Sequence, residues 1–307
     1  MKLFVLVFAV LVASSVADEF NNSDIDWSTV RPVAYYPKFW DNKAPELRPS
    51  AKFFENYERQ AQNSQGRIVG GQIAQPHQFP YQAALLTFLP DVGGQGFCGG
   101  SLIGTRTVLT AAHCVDGGTS GTAIFGAHFW RDVAEPNQRR IEYTGAHILL
   151  HPNWNSLLIQ NDVAVVQLPS VVPQIPSVIR AAILPTTADM NYDFAGEDAV
   201  ASGWGVYSQA NPVVSEVLRY VYDNVLTVQQ CAISSIGTAN ANNICMTGTQ
   251  NRGVCQGDSG GPLTVRRGGE SMHVGIASFV IASCHNTLPS VFVRTTSFLP
   301  WIAANTV

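Results

Sequence analysis

The residues best suited to chemistry lie in the hexapeptide Gly257-Asp258-Ser259-Gly260-Gly261-Pro262. It sets a serine hydroxyl among glycines and beside a carboxylate, where backbone amides can converge on a developing negative charge. The same string is good turn chemistry, so alone it leaves a turn and a nucleophile equally open. A serine hydroxyl is a weak nucleophile at neutral pH. It needs an adjacent base, and that base needs a partner to fix its tautomer and stabilise its cation. Among seven histidines, His113 alone follows a strand-like run, Thr107-Val108-Leu109-Thr110-Ala111-Ala112, and adjoins a cysteine that could anchor its loop. Asp162 precedes the apolar run Val163-Ala164-Val165-Val166, which would hold its carboxylate half-buried, where an ion requires a hydrogen-bonded partner. Taken singly, His113 could be structural and Asp162 a turn residue.

The elements that would position these groups are short. From Ile68 onward, apolar runs such as Gln82 to Leu86, Thr107 to Thr110, Val163 to Leu168, Ala199 to Ala201 and Val274 to Val280 alternate with Gly, Pro and Asn turns. That spacing predicts an all-β protein, and about 240 residues suit two packed barrels better than one. Ser297 to Ala304 reads as a C-terminal helix despite Pro300, with Phe298, Trp301 and Ile302 on one face.

Composition narrows the class. The 307 residues are 46% hydrophobic and 13% charged with a net charge of -4, and no Lys/Arg block is interleaved with aromatics, so neither disorder throughout nor a nucleic-acid partner is expected. Met1-Lys2, the apolar run Leu3 to Val12 and the small residues ending at Ala17 have the layout of a secretory signal over 1–17, too short to span a bilayer. A secreted protein with no membrane anchor is the expectation. Export would place Cys98, Cys114, Cys231, Cys245, Cys255 and Cys284 in an oxidising compartment, where an even count reads as three disulfides of open pairing. No Cys-x-x-Cys pair occurs, so no metal is called for.

Residues 18–67 hold Pro32, Pro37, Pro45 and Pro49 among Trp27, Tyr35, Tyr36, Phe39 and Trp40, with no sustained period. Ser50 to Gln62 could form one short helix. Asn63 to Arg67 reads as an exposed, cleavable tip ahead of Ile68-Val69-Gly70-Gly71. This stretch is expected to be a pro-segment acting as a disordered spacer, with a binding module or inhibitor as the alternative. Its sequon, Asn21-Asn22-Ser23, would leave with it.

Thr110-Ala111-Ala112-His113-Cys114, Asn161-Asp162-Val163-Ala164 and the Ser259 hexapeptide together resemble the chymotrypsin-type serine proteases, in that family's chain order of His, Asp and Ser, over residues 67 to 307. The resemblance implies two six-stranded antiparallel Greek-key barrels and a C-terminal helix. It implies that Ser259 is the nucleophile, His113 the general base and then acid, and Asp162 the carboxylate orienting His113. Gly257 and Ser259 would supply the oxyanion-hole amides, Ser278 would hydrogen-bond Asp162, and Phe279 and Val280 would pair with the substrate backbone. It also implies the pairings Cys98 with Cys114, Cys231 with Cys245 and Cys255 with Cys284. No cysteine ties down the pro-segment, which is expected to leave after cleavage.

Further implications concern activation and substrate. Arg67-Ile68-Val69-Gly70-Gly71 matches the family's activation site, where a cut after Arg67 creates an ammonium on Ile68 that pairs with Asp258. Gly253, Val280 and Ser290 match the specificity-pocket positions. An uncharged floor and a valine wall imply elastase-like cleavage after small to medium apolar residues, with chymotrypsin- or brachyurin-like preference for Leu or Phe as the alternative. A pocket that rejects arginine would require a separate trypsin-like protease to cut after Arg67. Gly126-Ala127-His128 lacks the glutamate that opens a calcium loop in many relatives, so calcium is not expected. His77, His128, His147, His151, His273 and His285 match no catalytic motif and read as structural or solvated. Protein or peptide substrates and a monomeric state are expected. Some proteins of this fold have lost a triad member and only bind, but all three residues are present here.

Overall fold

A computed structural model of the chain describes residues 25–27, 29–55, 71–207, 213–235, 237–281, 284 and 287–307. The signal-like leader, the Asn21 sequon and the Arg67-Ile68 junction lie outside these residues, as does the second half of the helix expected from Ser50, of which 51–55 are helical.

In chain order the described strands are β1 (Arg31–Pro32), β2 (Gln72–Ile73), β3 (Gln82–Leu89), β4 (Gly94–Leu102) and β5 (Thr107–Thr110). There follow β6 (Ser120–Phe125), β7 (Arg139–Thr144), β8 (Ile148–Leu150), β9 (Ala164–Gln167) and β10 (Asp198–Gly203). The rest are β11 (Arg219–Asn224), β12 (Asn243–Met246), β13 (Pro262–Arg267), β14 (Glu270–Val280) and β15 (Ser290–Arg294). They form two curled sheets, β7-β6-β3-β4-β5-β9-β8 and β12-β15-β14-β13-β10-β11-β2, with every neighbour on these two paths antiparallel. This is the expected all-β architecture. Short edge pieces carry each sheet past six strands, and one of them, β1, comes from the N-terminal segment and pairs in parallel with β4.

Near-continuous apolar runs drive the packing. β3 buries seven of its eight side chains, as a strand covered on both faces must. Trp130, Trp204, Phe97 and Phe125 are fully buried, and the two buried indoles donate to backbone oxygens of Ser215 and His128 at 2.9 and 3.0 Å. Phe194, Leu263, Val265, Val274 and Phe292 fill the second sheet's core. The C-terminal helix runs Thr295–Ala304 straight through Pro300, anchored by buried Phe298, Leu299 and Ile302. Disulfides join Cys98 to Cys114, Cys231 to Cys245 and Cys255 to Cys284.

The N-terminal segment departs from the expected spacer. Val30, Val33, Tyr35, Tyr36 and Ala44 are buried, and Trp27 meets Trp130 edge-on at 5.5 Å. Its prolines organise the backbone here: Pro37 and Pro45 open the 3-10 turns Pro37–Trp40 and Pro45–Leu47, where a fixed φ helps and a missing N–H costs nothing. No period betrays this, because the segment buries side chains singly into the domain surface rather than along a face of its own.

Candidate active site

The register of β5 on β9 determines which residues meet. Thr110 lies opposite Ala164, so the chain leaving β5 and the chain entering β9 run side by side at the same end of the sheet. Three residues past Thr110, His113 sits in the short helix Ala112–Val115, wholly buried and tied to β4 through Cys98–Cys114. Two residues before Ala164 is Asp162. His113 Nδ1 lies 2.7 Å from Asp162 Oδ2, and the His113 backbone N–H donates to Oδ1 at 2.9 Å. The Ser278 hydroxyl, on β14 of the other sheet, donates to Oδ2 at 2.6 Å. Asp162 is fully buried, and these three bonds are what an ionised carboxylate needs there. They also hold the imidazole with Nε2 facing away from the carboxylate.

Ser259 arrives from the second sheet on a turn pinned to both. The Ser259 carbonyl accepts from Gly99 N on β4 at 2.7 Å, while Gly260 N donates to Ala277 O on β14 at 2.7 Å. Gly260 has φ +79°, and a Cβ there would lie 2.1 Å from Thr110 Oγ1 and 2.5 Å from Gly99 O. Only glycine permits β4, β5 and this turn to approach so closely. Ser259 and His113 line one cavity of about 300 Å³ together with Ser278, Phe279 and Val280.

Asp258 points the other way. Its carboxylate accepts from Cys255 N at 2.9 Å and Gly205 N at 2.7 Å, and it borders a second cavity of about 50 Å³ that Gly71 also lines. Burial raises its pKa to about 6 against the opposing pull of those two N–H groups. No cation pairs with it among the described residues.

The expected pocket residues divide between these spaces. Val280 lines the larger cavity with Ser259, whereas Gly253 lines the smaller one with Asp258. Ser290 is buried behind Gly253: its Oγ accepts from Val254 N at 3.1 Å and would lie 2.6 Å from a Cβ on residue 253. Gly257 has φ +96°, with Pro32 of the N-terminal segment 3.4 Å from where its Cβ would stand.

Several residues at the site carried no sequence signal. Ile159 lines the larger cavity with φ +52°, a β-branched residue in the left-handed region, at the tip of a loop closed by the Asn155 and Gln160 bridge. Phe39 places its ring 5.9 Å from the His113 imidazole. The sulfurs of Cys98 and Cys114 also lie near His113, but both are committed to a disulfide and offer no thiolate to a metal. His273, read as structural, is fully buried between the hydroxyls of Thr295 and Ser101, and burial pushes its pKa down to about 4.

The family model described as Trypsin matches residues 68–302. Brachyurin from Leptuca pugilator is 36% identical over 240 residues, covering 78% of this chain and 98% of that protein. A chymotrypsin from Phaedon cochleariae is 33% identical over 235 residues, covering 76% of this chain and 80% of the relative. The solved structure of HL collagenase superposes with a TM-score of 0.68 at 31% identity, covering 78% of this chain and 98% of the other. With the family model matching well over half of its length, the chain belongs to the trypsin family of serine proteases and is a serine endopeptidase.

Proposed function

We propose that the protein is made as a secreted zymogen, with a signal over 1–17 and a pro-segment over 18–67, that is switched on by a cut after Arg67. Ser259 is the nucleophile: its hydroxyl attacks the scissile carbonyl as its proton passes to His113 Nε2, and the resulting imidazolium is stabilised by Asp162. His113 then returns the proton to the leaving amine, and water repeats the sequence to release the acyl group. The N–H groups of Gly257 and Ser259 receive the oxyanion. The observation that carries this reading is the buried His113 Nδ1 to Asp162 Oδ2 contact of 2.7 Å, braced by Ser278, beside a cavity that His113 shares with Ser259.

The switch rests on Asp258, a carboxylate beside a small cavity with no cation paired to it among the described residues. Gly71 lines that cavity, and Ile68 is three residues upstream, within about 10 Å of extended chain. An ammonium created on Ile68 would reach Asp258 and offset the cost of its ionisation. The cut would come from a separate trypsin-like protease.

For the substrate, Gly253, Val280 and Ser290 offer no charge to a basic side chain, and Val280 narrows the wall. Small to medium apolar residues before the cleaved bond fit best. The similarity to a brachyurin and a chymotrypsin favours a second reading, preference for Leu or Phe. Profiling a peptide library with the cut protein, diluted to remove the N-terminal segment, tests both. Cleavage mainly after Arg would reject them, and no cleavage of any peptide would reject the catalytic assignment.

A further inference from the structure

The larger cavity is open space between two walls, and the second wall is the N-terminal segment. Ala34, Phe39, Leu47 and Phe53 face His113, Ser259 and Val280 across it. The segment touches the proposed machinery at several independent points. Pro32 abuts Gly257, Phe39 lies against the His113 ring, and Tyr35 packs with Cys255 beside the Cys255–Cys284 disulfide.

Its seat is built into the domain. Gly96 on β4 leaves room for Val33, whose Cγ2 would lie 2.7 Å from a Cβ there, and Gly94 does the same for the Tyr36 hydroxyl at 2.3 Å from such a Cβ. That hydroxyl donates to Thr29 O and Gln95 O at 2.6 and 3.1 Å. Further along, Ala44 N donates to Leu157 O at 2.9 Å, fastening the segment to the loop that carries Ile159. Between these anchors Lys43 is buried, its ammonium 4.5 Å from the Phe39 ring centre and 5.8 Å from that of Trp154. Arg48 donates to Lys43 O and Asp41 O at 2.8 and 2.9 Å, and Tyr35 stacks on Phe53 at 5.1 Å, so the segment also holds its own shape.

The segment covers the cleft in a form ill suited to being cut. A protease substrate lies extended along a strand edge. Over the cleft this chain is instead wound into the 3-10 turns Val33–Tyr35, Pro37–Trp40 and Pro45–Leu47, two of them fixed at their first residue by proline.

None of these contacts needs the peptide bond that a cut after Arg67 would break. We infer that residues 29–55 are an inhibitor of this protein's own cleft, which stays bound without a covalent link after the chain is cut and must dissociate before the enzyme can work. This rests on the catalytic assignment proposed above and reverses the expectation that the segment simply leaves. Before the cut the segment is tethered to the cleft at an effective concentration of about millimolar, and after it the inhibition obeys mass action.

The test uses the full chain with residues 63–67 exchanged for the recognition sequence of a protease that cuts nowhere else in it. After cutting, the 18–67 fragment should co-elute with the domain at micromolar concentration and separate on dilution. Activity per mole should rise about tenfold from 10 µM to 10 nM for a dissociation constant of about 100 nM. Val33→Glu and Phe39→Ala, both on the segment, should flatten this dependence and give full activity at once. Separate elution at micromolar concentration, or activity independent of dilution and unchanged by Val33→Glu, would overturn the inference. Co-elution followed by no activity at any dilution would support the binding and overturn the catalytic assignment instead.

Discussion

The two halves of the site differ in how complete they are. On the His113 side, strand register, a disulfide and three hydrogen bonds already hold Asp162 and the imidazole together. On the Asp258 side, a carboxylate shifted by burial has no cation among the described residues, and Gly253 and Val280 line different cavities. Under the proposed activation, the fold alone sets the first half and the second waits for a new chain end. The groups proposed for proton transfer are positioned by both sheets. The turn proposed to bind the oxyanion and the substrate carries Asp258, whose carboxylate has two N–H partners and no cation among the described residues.

Asp162→Asn should have the greatest effect of all. It should lower kcat of the cut enzyme by about ten thousandfold, the effect this change has in enzymes with the same triad, because the imidazole is left in the wrong tautomer. A loss under tenfold would mean that His113 is not oriented by Asp162. On the other side, Asp258→Asn should reduce kcat/KM of the cut enzyme by about a hundred to a thousandfold, as loss of an oxyanion donor does. The uncut chain should fold normally. Ser278→Ala removes one hydrogen bond to a buried charge and should cost roughly tenfold to a hundredfold in kcat, with KM little changed. Equal losses in folding stability and activity would make Ser278 a packing residue only.

The smallest effect is on stability against pH. In the uncut chain the Asp258 carboxyl has a raised pKa, so its contribution is fully present below the ordinary carboxylate range and lost as pH rises through about 6. Urea unfolding of the uncut protein relative to Asp258→Asn should show that loss between pH 4 and 7, values chosen to bracket the shift. After the cut the sign reverses. An Ile68 ammonium would lower the Asp258 pKa and have its own raised, stabilising below about pH 8 and losing effect as pH climbs through the raised value. The same pH trend before and after the cut would sink the proposed pairing.

Much of the His113 half was legible in the sequence because its signals are local. A strand-like run ending at His113, a carboxylate leading an apolar run and a serine among glycines each state a chemical need, and the chain order joins them. The strand β5 was read at its true bounds, since four buried residues between turns leave little freedom. β3 runs on to Leu89, past the expected end at Leu86, because Leu89 pairs with Gly94 across the turn to β4 and Phe88 with Ser120, far along the chain. Ile159 and Phe39 were invisible for the same reason: their importance is fixed by distant partners. The N-terminal segment misled most. Prolines that suggest irregular chain here set turns, and glycines on β4 leave the space into which Val33 and Tyr36 fit.

On the proposed activation, Ser259 becomes a nucleophile only after the cut. This is tested most directly by treating uncut protein, cut and diluted protein, and cut Ser259→Ala with a serine-directed phosphonate and locating the adduct by peptide mass spectrometry. One adduct per chain is expected on the peptide carrying Ser259 in the cut and diluted protein, and none in the other two. Equal labelling of the uncut chain, or an adduct that survives Ser259→Ala, would contradict it.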